Sequence, residues 1–305
     1  MNKKCIGCGA LLQCDDNLKE GYTRKSDSEL CERCFRIKNY GDYKVIVKDN
    51  EEFVNILNNI NKTKDLVVLV VDVFNINEEL VNLSKILSND ILLVLSKRDI
   101  MPKSLYEEKL LSYLDRFNLN IIDRLIISSY KNYQFDELYY KINKYKKSRN
   151  VYVVGFTNAG KSTMINKLLY NYSDNKTEIT TSILPSTTLN SIEIKLNDEL
   201  TIIDTPGLLD NGNIINYVDG NDLKKIVPTK EIKPITFQIK NKQVIELDKY
   251  AYIECLDKTN ITIFVSNKLD IERNYKSFSD NNYKCYEFEV DNGEDIVIVG
   301  LGFIK

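Results

Sequence analysis

Apolar residues follow two different rhythms along this chain. Between residues 66 and 204, short and nearly continuous apolar runs alternate with helical stretches. Leu66–Asp72 and residues 91–95 read as buried strands, separated by a stretch that puts Leu80, Leu83 and Leu87 on one face. An amphipathic stretch at 104–117 follows, then the run Leu125-Ile-Ile-Ser128-Ser129 and a helix through Leu138 and Ile142. Residues 151–155, Val-Tyr-Val-Val-Gly, form a further strand, and from Lys161 onward Met164, Ile165 and Leu168 share a helical face. Leu200-Thr-Ile-Ile-Asp204 is another apolar strand. This is the strand–helix rhythm of a parallel sheet. Residues 208–266 lack it: Ile235-Thr-Phe-Gln-Ile and Val244-Ile-Glu-Leu alternate apolar and polar, predicting a β-rich domain.

The loop Gly155-Phe-Thr-Asn-Ala-Gly160-Lys161-Ser162 matches GxxxxGK[ST] between a strand and a helix. Backbone amides there, with Asn158, Ala159, Gly160 and Thr163 in or beside the loop, can cradle phosphates at the helix start. Lys161 can reach the β- and γ-phosphates and Ser162 can ligate magnesium. Downstream, the strand ending at Asp204 runs into Asp204-Thr-Pro-Gly207. Asp204 is placed to hold magnesium through water, and the Gly207 amide to meet the γ-phosphate. Between the two lies Pro185-Ser-Thr-Thr188. Thr188 is chosen there as the hydroxyl on magnesium, ahead of Thr187.

A guanine reader needs a carboxylate on a loop after a buried strand. Two strings offer one: Ser96-Lys97-Arg98-Asp99, before the phosphate loop, and Asn267-Lys268-Leu269-Asp270, after it. As a string the second is the better match to NKxD. Context selects the first, because only it sits within the strand–helix rhythm and is followed by a serine-rich loop, Ser128-Ser129, able to close over a base. Lys97 would lay its stem along the purine. Ser96 replaces the asparagine that ties neighbouring loops together, a role a hydroxyl can take in part. The G domain is therefore expected to be circularly permuted, with residues 267–270 a strand-end turn.

Cysteine usage adds a third module. Cys5-Ile-Gly-Cys8 and Cys31-Glu-Arg-Cys34 are two CxxC pairs, 22 residues apart, and five of the seven cysteines lie in the first 34 residues. Two such knuckles supply a closed tetrahedral zinc site, structural and not catalytic. Cys14 is a structural spare. The chain has no histidine, so no imidazole base or metal ligand is available. Net charge is −2, and basic runs at 141–149 and 224–242 read as solvated faces. The chain lacks an apolar run of about 18 residues and a signal-like start, so a cytoplasmic protein with no membrane partner is expected.

Leu208 follows Gly207 where a water-orienting glutamine is common, so intrinsic turnover should be slow. Asn158 could coordinate a monovalent cation near the phosphates, or hydrogen-bond within its loop; both readings stay open.

The series from Cys5 through Cys34-Phe35-Arg36-Ile37-Lys38, Ser96 to Asp99, the phosphate loop, Thr187-Thr188, DTPG and Gly300-Leu-Gly-Phe303 resembles the YqeH family of circularly permuted GTPases. The resemblance implies an α/β, circularly permuted P-loop GTPase domain (45–212), an N-terminal zinc-binding module (1–44) and a C-terminal β-rich RNA- or protein-interaction domain (213–305). It implies GTP or GDP, Mg2+ and Zn2+ as cofactors, K+ stimulation through Asn158, and a role in assembling the 30S ribosomal subunit precursor on rRNA. Three departures stand out: Ser96, Ser186 in place of the glycine of PGTT, and an end soon after Gly302 that leaves the last domain shorter than is usual. Two rivals are a zinc and β-domain RNA-binding scaffold with a structural nucleotide site, and an adenine-nucleotide P-loop enzyme.

Overall fold

In the computed structural model the described residues are 3, 5, 11–15, 21–32, 35, 50–173, 191–208, 210, 212–240, 243–275, 284–291 and 294–305. They divide into two compact units, Met1–Arg98 with Glu107–Asp210, and Asp99–Tyr106 with Asn211–Lys305.

The apolar runs become the centre of the first unit. Strand β1 (Leu66–Asp72) is buried at every position, as is β2 (Ile91–Ser96). Such near-continuous apolar strands suit a parallel sheet covered on both faces, where neither side of the strand meets water. Strand β3 (Asp123–Ile126) completes this side. The connecting helices bury one stripe each. Helix α1 (Asn50–Ile60) precedes β1, and α2 (Glu78–Ile86) buries Leu80 and Leu83. Asn77 caps α2, its side-chain oxygen accepting the Glu79 N–H at 3.1 Å, and Glu78 and Glu79 place negative charge on the positive end of the helix. Helix α3 (Glu107–Leu114) lies between β2 and β3, and α4 (Phe135–Tyr145) buries Phe135, Leu138 and Ile142. Strand β3 ends at Ile126, and the serine-bearing loop expected after it follows directly. Backbone hydrogen bonds between Ser128 and Tyr133 (Tyr133 N–H to Ser128 O, 2.9 Å) close that loop.

Then come β4 (Asn150–Gly155), α5 (Lys161–Tyr172), β5 (Ile192–Lys195) and β6 (Thr201–Asp204). The six strands form one sheet in the order β3-β2-β1-β4-β6-β5, all parallel but for β5, antiparallel to β6 at the edge. Counting from the phosphate-loop strand β4 as first, the spatial order is 2-3-1-4-5-6. That is the sheet of a G domain whose chain has been cut between β6 and β1 and rejoined between β3 and β4. The permuted topology expected from the sequence is therefore present.

The second unit is β-rich, as the alternating pattern predicts. Helix α6 (Gly220–Ile226) precedes β7 (Ile235–Ile239), β8 (Gln243–Leu247), β9 (Ala251–Cys255), β10 (Thr259–Val265), β11 (Ile271–Asn274), β12 (Ile296–Ile298) and β13 (Gly302–Ile304). These make two antiparallel sheets, β12-β13-β10-β7 and β11-β8-β9. Their inward residues, among them Ile239, Ile245, Leu247, Ile261, Ile263 and Leu301, form a separate core. Among the described residues no helix is long and apolar enough to cross a membrane.

Candidate nucleotide site

The phosphate loop is shaped by two requirements. Gly155 ends β4 opposite Val70 of β1, and a Cβ there would stand 2.2 Å from the Val70 carbonyl oxygen, so only glycine permits the approach. Farther along, Asn158 (φ 63°) and Gly160 (φ 87°) take left-handed backbone, which side-chain-bearing residues other than Asn and Asp disfavour. Left-handed turns of this kind make the anion-binding concavity of phosphate loops. They also give the exposed Asn158 a conformational reason to be there, beside the cation role expected of it. Ala159 is buried, and α5 starts immediately, with Met164 N–H donating to Gly160 O at 2.9 Å. Ser162 and Thr163 stand in its first turn, half-buried and exposed respectively. Lys161 is 4% exposed, with its ammonium donating to Gly155 O at 3.2 Å.

Strand β6 brings the DTPG segment alongside. Asp204 pairs with Ile192 of β5 on one side and with Val153 of β4 on the other, and is buried. Thr205 Oγ1 donates to Val153 O at 2.9 Å. Beyond the buried Gly207, the backbone of Leu208 continues the pairing onto the phosphate loop: its N–H donates to Gly155 O (3.1 Å), and its carbonyl accepts from Thr157 N–H (2.8 Å) and Thr157 Oγ1 (3.0 Å). Sequence reasoning gave Thr157 no part and Leu208 only a missing function. These contacts run mostly through backbone, so residue type carries little signal. Asp204 carboxylate and Ser162 hydroxyl oxygens are hard donors, the chemistry magnesium requires. The expected third oxygen, Thr188, lies with Thr187 and Ser186 outside the described residues.

At the carboxyl end of β2, Ser96 Oγ donates to Ala159 O at 2.5 Å, so the loop-tying role expected of this hydroxyl is present. Lys97 is left-handed (φ 63°), and its ammonium lies 2.6 Å from Asp72 Oδ2 at the end of β1. Arg98 N–H donates to Ile127 O at 3.0 Å, and its side chain pairs with Glu107 at 2.9 Å. That joins the loop after β2 to the strand leading into buried Ser128 and the half-buried Ser129. Asp99 follows in the turn Arg98–Ile100 and opens the segment Asp99–Tyr106, which groups with the second unit. There Ile100 O accepts from Ile232 N–H at 2.8 Å, and Lys103 N–H donates to Glu231 Oε1 at 2.9 Å. Asp72 is the residue the sequence reading missed, since a carboxylate ending an apolar strand has no distinguishing string.

The rival string is spent on a turn between β10 and β11. Asn267 Oδ1 accepts from Lys233 N–H (2.8 Å), its amide donates to Glu231 O (2.8 Å), and Lys268 donates to Lys224 O (2.9 Å). Asp270 O accepts from Asp248 N–H at 2.8 Å. Its place in the β-rich unit matches the strand-end turn expected of residues 267–270.

Of the four expected zinc ligands, Cys5 and Cys31 are described and Cys8 and Cys34 are not. Cys5 and Cys31 are both buried, and the Cys31 N–H donates to Cys5 Sγ at 3.2 Å. Gly21, left-handed at φ 78°, turns the chain between them; a Cβ there would stand 1.8 Å from Leu11 O. Among the described residues no group of three or more potential metal ligands occurs.

A parallel sheet with a GxxxxGKS loop, a DTPG segment and a lysine-bearing loop in permuted order defines the class: a circularly permuted P-loop GTPase domain. Comparison with known proteins agrees. A family described as 50S ribosome-binding GTPase matches residues 150–268, opening on β4 and leaving out β1 to β3. YqeH of Bacillus subtilis is 34% identical over 98% of this chain and 92% of its own length. NO-associated protein 1 of Arabidopsis thaliana is 27% identical over 77% of this chain, which spans 48% of that longer protein. The structure of YjeQ from Thermotoga maritima shares 20% identity over 48% of each chain with a TM-score of 0.31, too slight a likeness to argue from. The chain belongs to the YqeH family.

Ser96→Ala should destabilise the chain by about 1–2 kcal/mol, because the buried Ala159 carbonyl loses its donor. Urea denaturation of the nucleotide-free protein measures this; an unchanged midpoint would show that the loops do not depend on the hydroxyl.

Proposed function

We propose that this protein is a GTP-binding, slowly hydrolysing switch that acts in assembly of the small, 30S ribosomal subunit. The observation that carries the nucleotide part is the Ser96–Ala159 hydrogen bond, which joins the loop after β2 to the phosphate loop across the permuted sheet. The ribosomal part rests on family membership and on the ribosome-binding description of the matching family. That description names the 50S subunit, so the subunit is itself a quantity to measure.

In this reading Lys161 and the amides of Asn158 to Thr163 hold the phosphates. Gly207 meets the γ-phosphate through its N–H, and Ser162, Thr188 and Asp204 hold magnesium. Asp99 accepts from guanine N1 and its amine, Lys97 lines the purine, and Ser128 with Ser129 closes over the base. Asn158 is the potassium ligand. Cys5, Cys8, Cys31 and Cys34 hold a structural zinc, and the Cys31 N–H on Cys5 sulfur supports that module, since knuckle amides commonly donate to metal-bound thiolates. The leucine side chain at 208 cannot orient water, which supports a low intrinsic rate. The same residue favours a second reading, an RNA-binding scaffold with a structural nucleotide site, because its backbone already occupies hydrogen-bonding positions on the phosphate loop.

Lys161→Ala should abolish GDP and GTP binding by equilibrium fluorescence. Asp99→Asn should shift preference toward xanthosine nucleotides, whereas Asp270→Asn should leave affinity and base preference unchanged; the reverse pattern would move the guanine reader to residue 270. GTP turnover should rise in potassium relative to sodium and on addition of 30S particles. The protein should co-sediment with 30S and not 50S fractions when a non-hydrolysable GTP analogue is present. Turnover that no salt or particle stimulates would favour the scaffold, and sedimentation with 50S would correct the subunit. Elemental analysis should find one zinc per chain, lost in Cys31→Ser.

A further inference from the structure

We infer that Asp72 is a positioning residue of the guanine-reading loop, its buried carboxylate holding the Lys97 ammonium so that the lysine stem is laid out for a purine before nucleotide arrives. The inference deepens the GTP-site reading and rests on it. Asp72 is the single charged residue of β1 and is 6% exposed. A carboxylate so buried is costly unless each oxygen is satisfied. Here the two oxygens have separate partners: Oδ1 accepts the Phe74 N–H at 2.9 Å, and Oδ2 takes the Lys97 ammonium at 2.6 Å. The backbone bond at Oδ1 sets the orientation of the carboxylate, and so the direction in which Oδ2 points.

The residues on either side of Lys97 are tied to other segments by bonds that do not involve its side chain. On one side Ser96 is tied to Ala159 O, and on the other Arg98 N–H is tied to Ile127 O. A free lysine side chain loses rotamer entropy when it is ordered, and pinning its end means that loss does not fall on nucleotide binding. The direction of the pin matters as well. Asp72 is the cross-strand partner of Ser96, and β1 lies between β2 and β4. The stem therefore runs back over the end of β1 instead of out from β2. A nucleotide with phosphates in the loop after β4 and its base at the loop after β2 must cross that same strand end. The Lys97 side chain keeps 27% of its surface exposed, enough for a ring to lie on it.

A double-mutant cycle tests this. Asp72→Asn keeps the volume and the acceptor for Phe74 but removes the charge that holds the ammonium. Binding of a fluorescent GDP analogue to the full chain should weaken about tenfold in Asp72→Asn and in Lys97→Met. In the Lys97→Met background the Asp72 change should add less than about twofold. In turnover assays the KM for GTP should rise with the affinity loss while kcat stays within about twofold. Unchanged or tighter binding in Asp72→Asn, or an equal loss in both backgrounds, would overturn the inference. If Asp72→Asn does not fold, Lys97→Met decides alone: it retains an apolar stem, and wild-type affinity in it would show that the pin is immaterial. Lys161→Ala run in parallel separates the failures. If it binds GDP normally, the site reading itself is wrong; if it does not bind while Asp72→Asn does, only the role of Asp72 is.

Discussion

The pairing of β1 with β4 is the constraint on which the rest of this structure depends. Strands β2 and β3, with the Ser96–Asp99 loop, lie on one side of that pair, and β6 and β5, with the DTPG segment, lie on the other. The register runs from Leu66 opposite Val151 to Val70 opposite Gly155. Both strands are apolar and buried along their shared length, so the pairing is favoured by burial as well as by its ladder of hydrogen bonds. At its end the glycine lets the two backbones close to a distance no side chain would allow. Because Asp72 lies two residues beyond Val70 and opposite Ser96, that one register also sets where the loops after β1 and β2 stand relative to the phosphate loop.

The phosphate loop then acts as the hub. Gly155 O takes both the Lys161 ammonium and the Leu208 N–H, Ala159 O takes the Ser96 hydroxyl, and Thr157 gives two donors to Leu208 O. Two segments far apart in sequence, at Ser96 and at Leu208, thus meet on one short loop of backbone. Permutation gives this a consequence in the chain itself. The segment pinned to the loop at Leu208 continues past Asp210 into the β-rich unit, and in an unpermuted order it would run on into β1.

Much of this was legible beforehand, for reasons that differ by element. Leu66–Asp72 is found at its predicted bounds because an apolar run in a doubly covered strand has few alternative homes. The phosphate loop is legible because its glycines answer backbone requirements that no other residue meets. Strand β5 was not predicted, since four residues at a sheet edge, two of them Glu193 and Lys195, carry too little pattern. The loop after β3 is legible because Ser128 and Ser129 interrupt the apolar run, although Ile127 is as buried as the strand itself. Asp72 escaped notice because its meaning lies in a partner 25 residues away.

By itself the sequence determined which chemistry is present: a phosphate loop, an acidic residue at the end of an apolar strand, paired cysteines, and two lysine-aspartate strings either of which could read a base. Only the tertiary structure decided how they are distributed. It placed Ser96 and Lys97 against the phosphate loop and β1, and it tied Asn267 and Lys268 into a turn of the β-rich unit. The reason is physical. A side chain's identity fixes what it can bond to, but strand order and register fix what stands within 3 Å of it. Those depend on which apolar runs pair across the whole chain, which no local string records.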